Sequence, residues 1–257
     1  SRYKKLGLPS GAGYFKRIQD LTAAWQTMNN ENISLQAIAK EDNALYSTLA
    51  NLKAALERDG YMDFSYAIRL AAEELGKISE KAGTDIEKFR YLFVDEYQDI
   101  NPIQESFIRT FAQFMDLLFV VGDDDQAIYG WRGADVQNIL TFEDRYDNVS
   151  THKLLVNFRS TKAIVDVANS FVQSTLNYER LPKDISSHSD GNIQDMRKLW
   201  FENREDEARW IAQRIQSLVG TTYIEYNPNG TEKSRRGLTY SDFAILLRGI
   251  RSSNGEN

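Results

Sequence analysis

Tyr91-Leu92-Phe93-Val94-Asp95-Glu96-Tyr97-Gln98-Asp99-Ile100-Asn101-Pro102 decides the fold, because an apolar run, three acids and a helix start meet within it. Four large apolar or aromatic residues in succession read as a strand buried on both faces, the pattern of a parallel sheet sandwiched between helices. In open α/β sheets ligands bind beyond the carboxyl ends of the strands, so Asp95 and Glu96 stand where chemistry would occur. Adjacent carboxylates repel, and a cation relieves them. One acid can hold a hydrated Mg²⁺ that bridges to substrate phosphates while its neighbour accepts a proton from an attacking water. Two solvated acids at the mouth of a turn are the alternative.

Working outward, Asn101 suits a helix cap, Pro102 its first turn, and Gln104 stands three residues after the cap as a capping box requires. Ile103, Phe107, Ile108, Phe111 and Phe114 recur at helical spacing, an apolar stripe that packs back on a sheet. A second unit follows, with Leu117 to Val121 as another buried strand and Gly122-Asp123-Asp124-Asp125-Gln126 at its end. Gln126 at such a place can touch both a terminal phosphate and a metal's waters, which makes it a sensor. Tyr129 and Trp131 flank Gly130 in a turn beside Arg132, a pattern that offers single-stranded bases a stacking platform; a turn anchored by one core aromatic is the alternative. After a helix from Asp135 to Phe142, the polar stretch 145–150 marks a crossing between domains. Leu154-Leu155-Val156 opens a further buried strand ending in Asn157-Phe158-Arg159-Ser160, with a helix capped by Ser160 or Thr161 after it. Arg159 at that turn can reach a phosphate held by another domain, as an arginine finger does, or pair with a nearby surface acid.

These stretches carry a resemblance. Asp95-Glu96-Tyr97-Gln98-Asp99, then Val121 to Ala134, then Asn157-Phe158-Arg159-Ser160 resemble three successive motifs of UvrD/Rep/PcrA-type helicases of superfamily 1, in the family's order. The resemblance implies an α/β fold of partial RecA-like P-loop NTPase domains, each a parallel sheet flanked by helices, preceded by an all-helical subdomain. Its divisions are a helical subdomain over 1–89, the later part of a first ATPase domain over 90–150, and the earlier part of a second over 151–257. It implies ATP and Mg²⁺ as cofactors, with Asp95 as metal ligand, Glu96 activating water, Gln126 sensing the γ-phosphate and Arg159 as the finger. Phe158, where the family more often has tyrosine, would lie against adenine, and Tyr129, Trp131 and Arg132 would contact single-stranded DNA. The implied activity is a 3′-5′ DNA helicase or translocase acting on single strands and duplex junctions in repair, replication or recombination. A helicase subunit of a recombination helicase-nuclease, or a non-catalytic ATP- or DNA-binding module, are the alternatives.

Composition frames these readings. The 257 residues are 42% hydrophobic and 26% charged, which excludes a disordered chain and leaves room for about two domains. With no cysteine there is neither a disulfide framework nor a thiolate metal site, and His152 and His188 form no zinc pattern. No apolar run is long enough to span a membrane and no signal peptide opens the chain, so a soluble cytoplasmic protein with no membrane partner is expected; oligomeric state is not legible. The net charge of −6 disfavours nucleic acid only on average: residues 91–150 hold 12 Asp+Glu against 3 Lys+Arg, whereas 1–90 hold 12 against 13 and 151–257 hold 13 against 15.

Residues 1–90 read as helices over Phe15 to Met28, Ser34 to Lys40, Asn43 to Arg58 and Asp63 to Ile78, punctuated by Gly60 and Gly76, with Tyr14, Phe15, Trp25, Tyr61 and Phe64 as core aromatics and a nucleic-acid stacking surface as the alternative. No G-x-x-x-x-G-K-[ST] loop occurs, since Gly11-Ala12-Gly13 lacks the lysine and hydroxyl. An internal piece of a longer helicase, binding ATP poorly and not turning it over alone, is therefore expected. Towards the C-terminus, Lys198 to Phe201 reads as a short strand, Asn203 caps a helix, 182–196 is a polar loop, 221–237 is a turn or hairpin with Lys233-Ser234-Arg235-Arg236 at a basic tip that is either solvated or touches nucleic acid, and Phe243 to Leu247 is a buried strand.

Overall fold

The structure is a computed structural model describing residues 14–80, 89–175, 180–190, 196–227 and 231–247. Gly11-Ala12-Gly13, the 228–230 turn and everything beyond Leu247 lie outside the described residues. Two compact units divide the chain, Ser1–Asn192 and Ile193–Asn257.

The first unit opens with α1 (Tyr14–Asn30), α2 (Leu35–Glu41), α3 (Asn43–Asp59) and α4 (Phe64–Glu80). Local signals set their ends. Ser34 accepts from the Ala37 amide and Asp42 from the amides of Ala44 and Leu45, while Gly60, at φ 70°, closes α3 in the left-handed region that glycine tolerates. Trp25, Met28, Ile33, Ile38, Leu45, Leu49 and Tyr66 form one buried cluster among these helices. Asp63 pins it, accepting from the Trp25 indole at 2.8 Å and from the Tyr66 amide at 2.8 Å. Two expectations fail here. Gly76 lies inside α4 and ends nothing. Phe15, Tyr61 and Phe64 are exposed rather than core: the bundle is filled from α1 by Ala24, Trp25 and Met28 and from α4 by Tyr66, while Tyr61 and Phe64 stand before and at the first residue of α4.

The acidic strand is β1 (Tyr91–Val94), which pairs in parallel with β2 (Leu117–Val120) across the intervening α5 (Pro102–Ala112). The Asn101/Gln104 capping box forms as the sequence requires, with Pro102 in the first turn. Asn101 also donates to Asn30 at 3.2 Å, and α5 packs beside α4, which ties this pair to the helical bundle. Leu92, Val94, Leu118 and Val120 pack on Tyr97, Ile100 and Ile108. Burial on both faces is not what the structure has: Tyr91, Phe93, Leu117, Phe119 and Val121 are exposed, and Phe93 sits 5.6 Å from Phe119. The reason is that the pair has two strands, and among the described residues its core lies on one face.

The expected 135–142 helix is instead two short ones, α6 (Gln137–Leu140) and α7 (Phe142–Arg145). Arg145, expected in a solvated crossing, is half-buried and donates to Glu105 and Asn138. The third strand runs later than expected, as β3 (Val156–Thr161), followed by α8 (Lys162–Thr175), and it pairs in parallel with β4 (Ser186–Ser189) inside the stretch expected to be loop.

The second unit holds α9 (Arg204–Leu218), capped by Asn203, and an antiparallel hairpin of β5 (Thr222–Tyr226) and β6 (Glu232–Gly237). The hairpin is as read, but its basic residues lie along β6, paired as Lys233 with Glu225, Arg235 with Glu232 and Arg236 with Asp242. Neither 198–201 nor 243–247 is a strand, and Leu246 is 92% exposed: apolar content alone does not make a strand where no neighbouring edge pairs with it. No helix among the described residues is long and apolar enough to cross a membrane.

Leu49, wholly buried in the helical cluster, sets that cluster's packing. Leu49→Ala is expected to lower unfolding stability by about 2–5 kcal/mol, read by urea titration of helical circular dichroism.

Candidate functional site

Parallel pairing places two acidic turns side by side. The Val121 amide donates to the Val94 carbonyl at 2.9 Å and the Tyr97 amide to the Val121 carbonyl at 2.9 Å, so β1 and β2 end at one level. Beyond β1, Asp95 and Glu96 are exposed, and the Asp95 carboxylate accepts from the Glu96 amide at 2.9 Å. Glu96 takes the left-handed conformation, φ 51° and ψ 44°, which costs a non-glycine residue about 1–3 kcal/mol. The surroundings enforce it. Tyr97 is fully buried, donates its hydroxyl to Glu105 and meets Phe142 edge-on at 5.4 Å. Glu105 in turn accepts from Arg145 at 2.9 Å and Tyr146 at 3.1 Å. Burial, and then the Glu105 carboxylate, push the Tyr97 hydroxyl far above its ordinary value, so it stays a donor. Burial and the Glu96 charge also raise the Asp99 carboxyl, whose Oδ1 is buried without a hydrogen-bond partner.

Gln98 joins the two turns. It is 1% exposed, its Nε2 donates to the Glu96 carboxylate at 2.7 Å, and its Oε1 accepts from the Asp123 amide at 3.0 Å. Gly122 makes room for it: a Cβ there would stand 2.8 Å from Gln98 Oε1 and 2.8 Å from Ile139 Cδ1.

The second turn is a different environment. Its three acids, expected where a cation is held, are already compensated by the chain itself. Lys183 reaches Asp123 at 2.5 Å, Asp124, and Asp125 at 3.1 Å, and Arg180 grips Asp125 through two bonds of 2.6 and 2.5 Å. Asp124 is 1% exposed and also accepts from the Leu181 amide at 3.0 Å. Burial would raise the Asp125 carboxyl, but Arg180 and Lys183 hold it below its usual value. Burial would lower the Lys183 ammonium, but Asp123 and Asp124 raise it. Gln126 is exposed and donates to Asp123 at 2.8 Å.

Beyond this turn, the Arg132 guanidinium lies 5.4 Å from the Tyr129 ring centre and 5.3 Å from that of Trp131, and Trp131 is 79% exposed. A cation between two aromatic rings, open to solvent, is a surface on which a base can stack. On β3, Phe158 is exposed beside His188 at 4.8 Å, and Arg159 is exposed with no ion pair among the described residues. Glu96 and Gln126 are thus linked through Gln98 and Asp123, and Asp95 stands next to Glu96, accepting from its amide.

Sequence reasoning missed Gln98, Arg180 and Lys183. Half of the signal for the last two was present, since three consecutive acids at a strand end demand compensation, but the cations that supply it, Arg180 and Lys183, lie 55 and 60 residues further along the chain.

Comparison with known proteins identifies the family. The model of the UvrD/REP helicase N-terminal domain matches residues 5–147, and that of the UvrD-like helicase C-terminal domain matches 152–255. A protein of Leuconostoc citreum named ATP-dependent DNA helicase PcrA is 36% identical over 211 residues, 80% of this chain and 26% of that protein. A protein of the same name from Staphylococcus epidermidis is 33% identical over 231 residues, 88% of this chain and 29% of that protein. The chain thus spans under a third of the length of these relatives.

Lys183 is nearly enclosed by acids, so removing it leaves like charges buried together. Lys183→Met is expected to cost about 3–5 kcal/mol at pH 7, measured by urea unfolding, with faster amide exchange at Leu181. Because the Lys183 value is raised on folding, its contribution is complete below the ordinary lysine value of about 10.4 and fades as pH rises through the raised one, so the gap from wild type narrows at strongly alkaline pH.

Proposed function

The chain belongs to the UvrD/REP helicase family, and from that membership we propose that it is part of an ATP-driven DNA helicase that translocates 3′-5′ on single-stranded DNA. The two parallel pairs are then parts of two RecA-like domains over 90–150 and 151–257, with 1–89 as the helical subdomain of the first. The observation that supports this best is the adjacency of an open acidic turn, an exposed glutamine and an Arg132 platform along one strand pair.

The acids divide by function. Asp123, Asp124 and Asp125 are spent on Lys183 and Arg180, whereas the exposed Asp95 and Glu96 carry no cation partner among the described residues. Hard carboxylate oxygens open to water fit Mg²⁺, which takes one or two protein carboxylates and keeps several waters. Asp95 would hold it, and when bound it would neutralise charge on the phosphates of ATP. Glu96, oriented by Gln98, accepts a proton from the attacking water. Gln126, on the Asp123 turn, reads the γ-phosphate. Arg159 supplies positive charge to the same phosphate, and Phe158 offers its exposed ring to adenine. Tyr129, Trp131 and Arg132 bind the strand, each stacked base contributing roughly 1–3 kcal/mol.

The sequence contains no G-x-x-x-x-G-K-[ST] loop, so the isolated chain would bind ATP weakly and would not turn it over; the activity is that of the whole protein, acting on DNA in the cytoplasm in repair, replication or recombination.

In the full-length protein, Glu96→Gln is expected to lower DNA-stimulated ATPase by at least a hundredfold while oligo-dT affinity is retained; unchanged turnover would remove Glu96 from this role. Trp131→Ala is expected to weaken oligo-dT binding by about 1–3 kcal/mol in fluorescence anisotropy without weakening nucleotide binding, and the reverse result would make Trp131 structural.

A further inference from the structure

Gln98 occupies a place that neither burial nor helix formation explains. It is an amide side chain with 1% exposure, between two turns that come from different strands. Burying an amide without partners costs several kcal/mol, so its contacts decide what it does. One contact is a backbone amide, Asp123 N–H at 3.0 Å, which can only donate. That fixes the Gln98 oxygen towards Asp123 and leaves its NH₂ to face the Glu96 carboxylate at 2.7 Å. The orientation is therefore set by chemistry.

The Glu96 side chain has no other hydrogen-bond partner among the described residues. Glu96 is also exposed and strained in backbone, so without Gln98 its carboxylate would sample several rotamers. At its other end Gln98 holds a turn whose Asp123 carboxylate binds both Gln126 at 2.8 Å and Lys183 at 2.5 Å. An unbroken polar path thus runs from Lys183 and Gln126 through Asp123 and Gln98 to Glu96. Gly122 keeps that path open, because a side chain there would strike Gln98 Oε1.

We propose that Gln98 is a positioning residue, aiming the Glu96 carboxylate at the attacking water and locking its aim to the position of the Asp123–Gln126 turn. This rests on the reading of Glu96 as the base. A displacement of the Asp123 turn, on which the γ-phosphate glutamine is carried, moves the Asp123 amide and with it the side chain that orients Glu96. The base is then correctly placed only when the sensing turn is.

The test uses the full-length protein with three variants, measuring DNA-stimulated kcat, KM for ATP, oligo-dT affinity and thermal midpoint. Gln98→Glu keeps shape and the acceptor for the Asp123 amide but replaces the donor to Glu96 with a second carboxylate. Gln98→Met keeps length and loses both bonds without adding charge. Both are expected to lower kcat on the order of a hundredfold, as misplacement of a reacting group by about an ångström does, with KM and oligo-dT affinity within twofold of wild type. Gln98→Asn, the same amide one carbon shorter, is not expected to restore kcat, because it cannot span both contacts. Wild-type kcat in either folded variant, with only the thermal midpoint lowered, overturns the proposal and leaves Gln98 structural. Glu96→Gln separates the two ideas: if it abolishes turnover while the Gln98 variants do not, the inference about Gln98 fails and the helicase reading stands, whereas an active Glu96→Gln enzyme sinks both.

Discussion

The parallel pairing of β1 with β2 forces five carboxylates, Asp95, Glu96, Asp123, Asp124 and Asp125, onto the ends of two neighbouring strands. At contact distance a pair of like charges near a protein surface costs about 4 kcal/mol, so such a cluster does not hold unaided. The rest of the first unit reads as the answer to that cost. Lys183 and Arg180 neutralise the second turn, Gln98 donates to Glu96, and the Asp95 carboxylate takes the Glu96 amide. The carboxylates left without a cation partner among the described residues are the two exposed ones at the tip of one strand, Asp95 and Glu96.

That confinement depends on rigidity below the tip. Tyr97, Glu105, Arg145, Tyr146 and Asn138 form a polar network beneath the acidic turn, with Asn138 also donating to the Ile100 carbonyl at 3.1 Å. Each buried polar group in it has a partner, so the network stabilises one geometry instead of merely being tolerated. The left-handed Glu96 is where the strain is held, between a strand below and a locked tyrosine above.

Much of this was legible from residues. Helix boundaries followed from signals such as Gly60, Asn101 and Asn203, because capping is a local interaction that sequence spacing displays directly. The two acidic turns were legible because an apolar run before an acid is unusual. What escaped reading is non-local. Lys183 lies 60 residues from Asp123 and Gln98 25 from the amide it accepts, and no periodicity links positions that far apart. Strand burial was misjudged for the same reason: Phe93 and Phe119 are apolar enough to be buried, but whether a face is covered depends on what other chain lies on it. Residues 243–247 failed as a strand because ladder hydrogen bonds require a partner edge, which composition does not supply.

The same contrast separates the two kinds of acid in the site. Asp124 is the most buried of the five and is held by Lys183 and the Leu181 amide, so its charge serves to hold the 180–183 segment in place. Asp95 and Glu96 are exposed to water and carry no cation partner among the described residues. Asp123 stands between, sharing its carboxylate with Lys183 and Gln126 while its amide engages Gln98. Two strand ends bridged by one buried amide therefore share a single hydrogen-bonded support, with the Glu96 carboxylate at one end of it and the Asp123–Gln126 turn at the other.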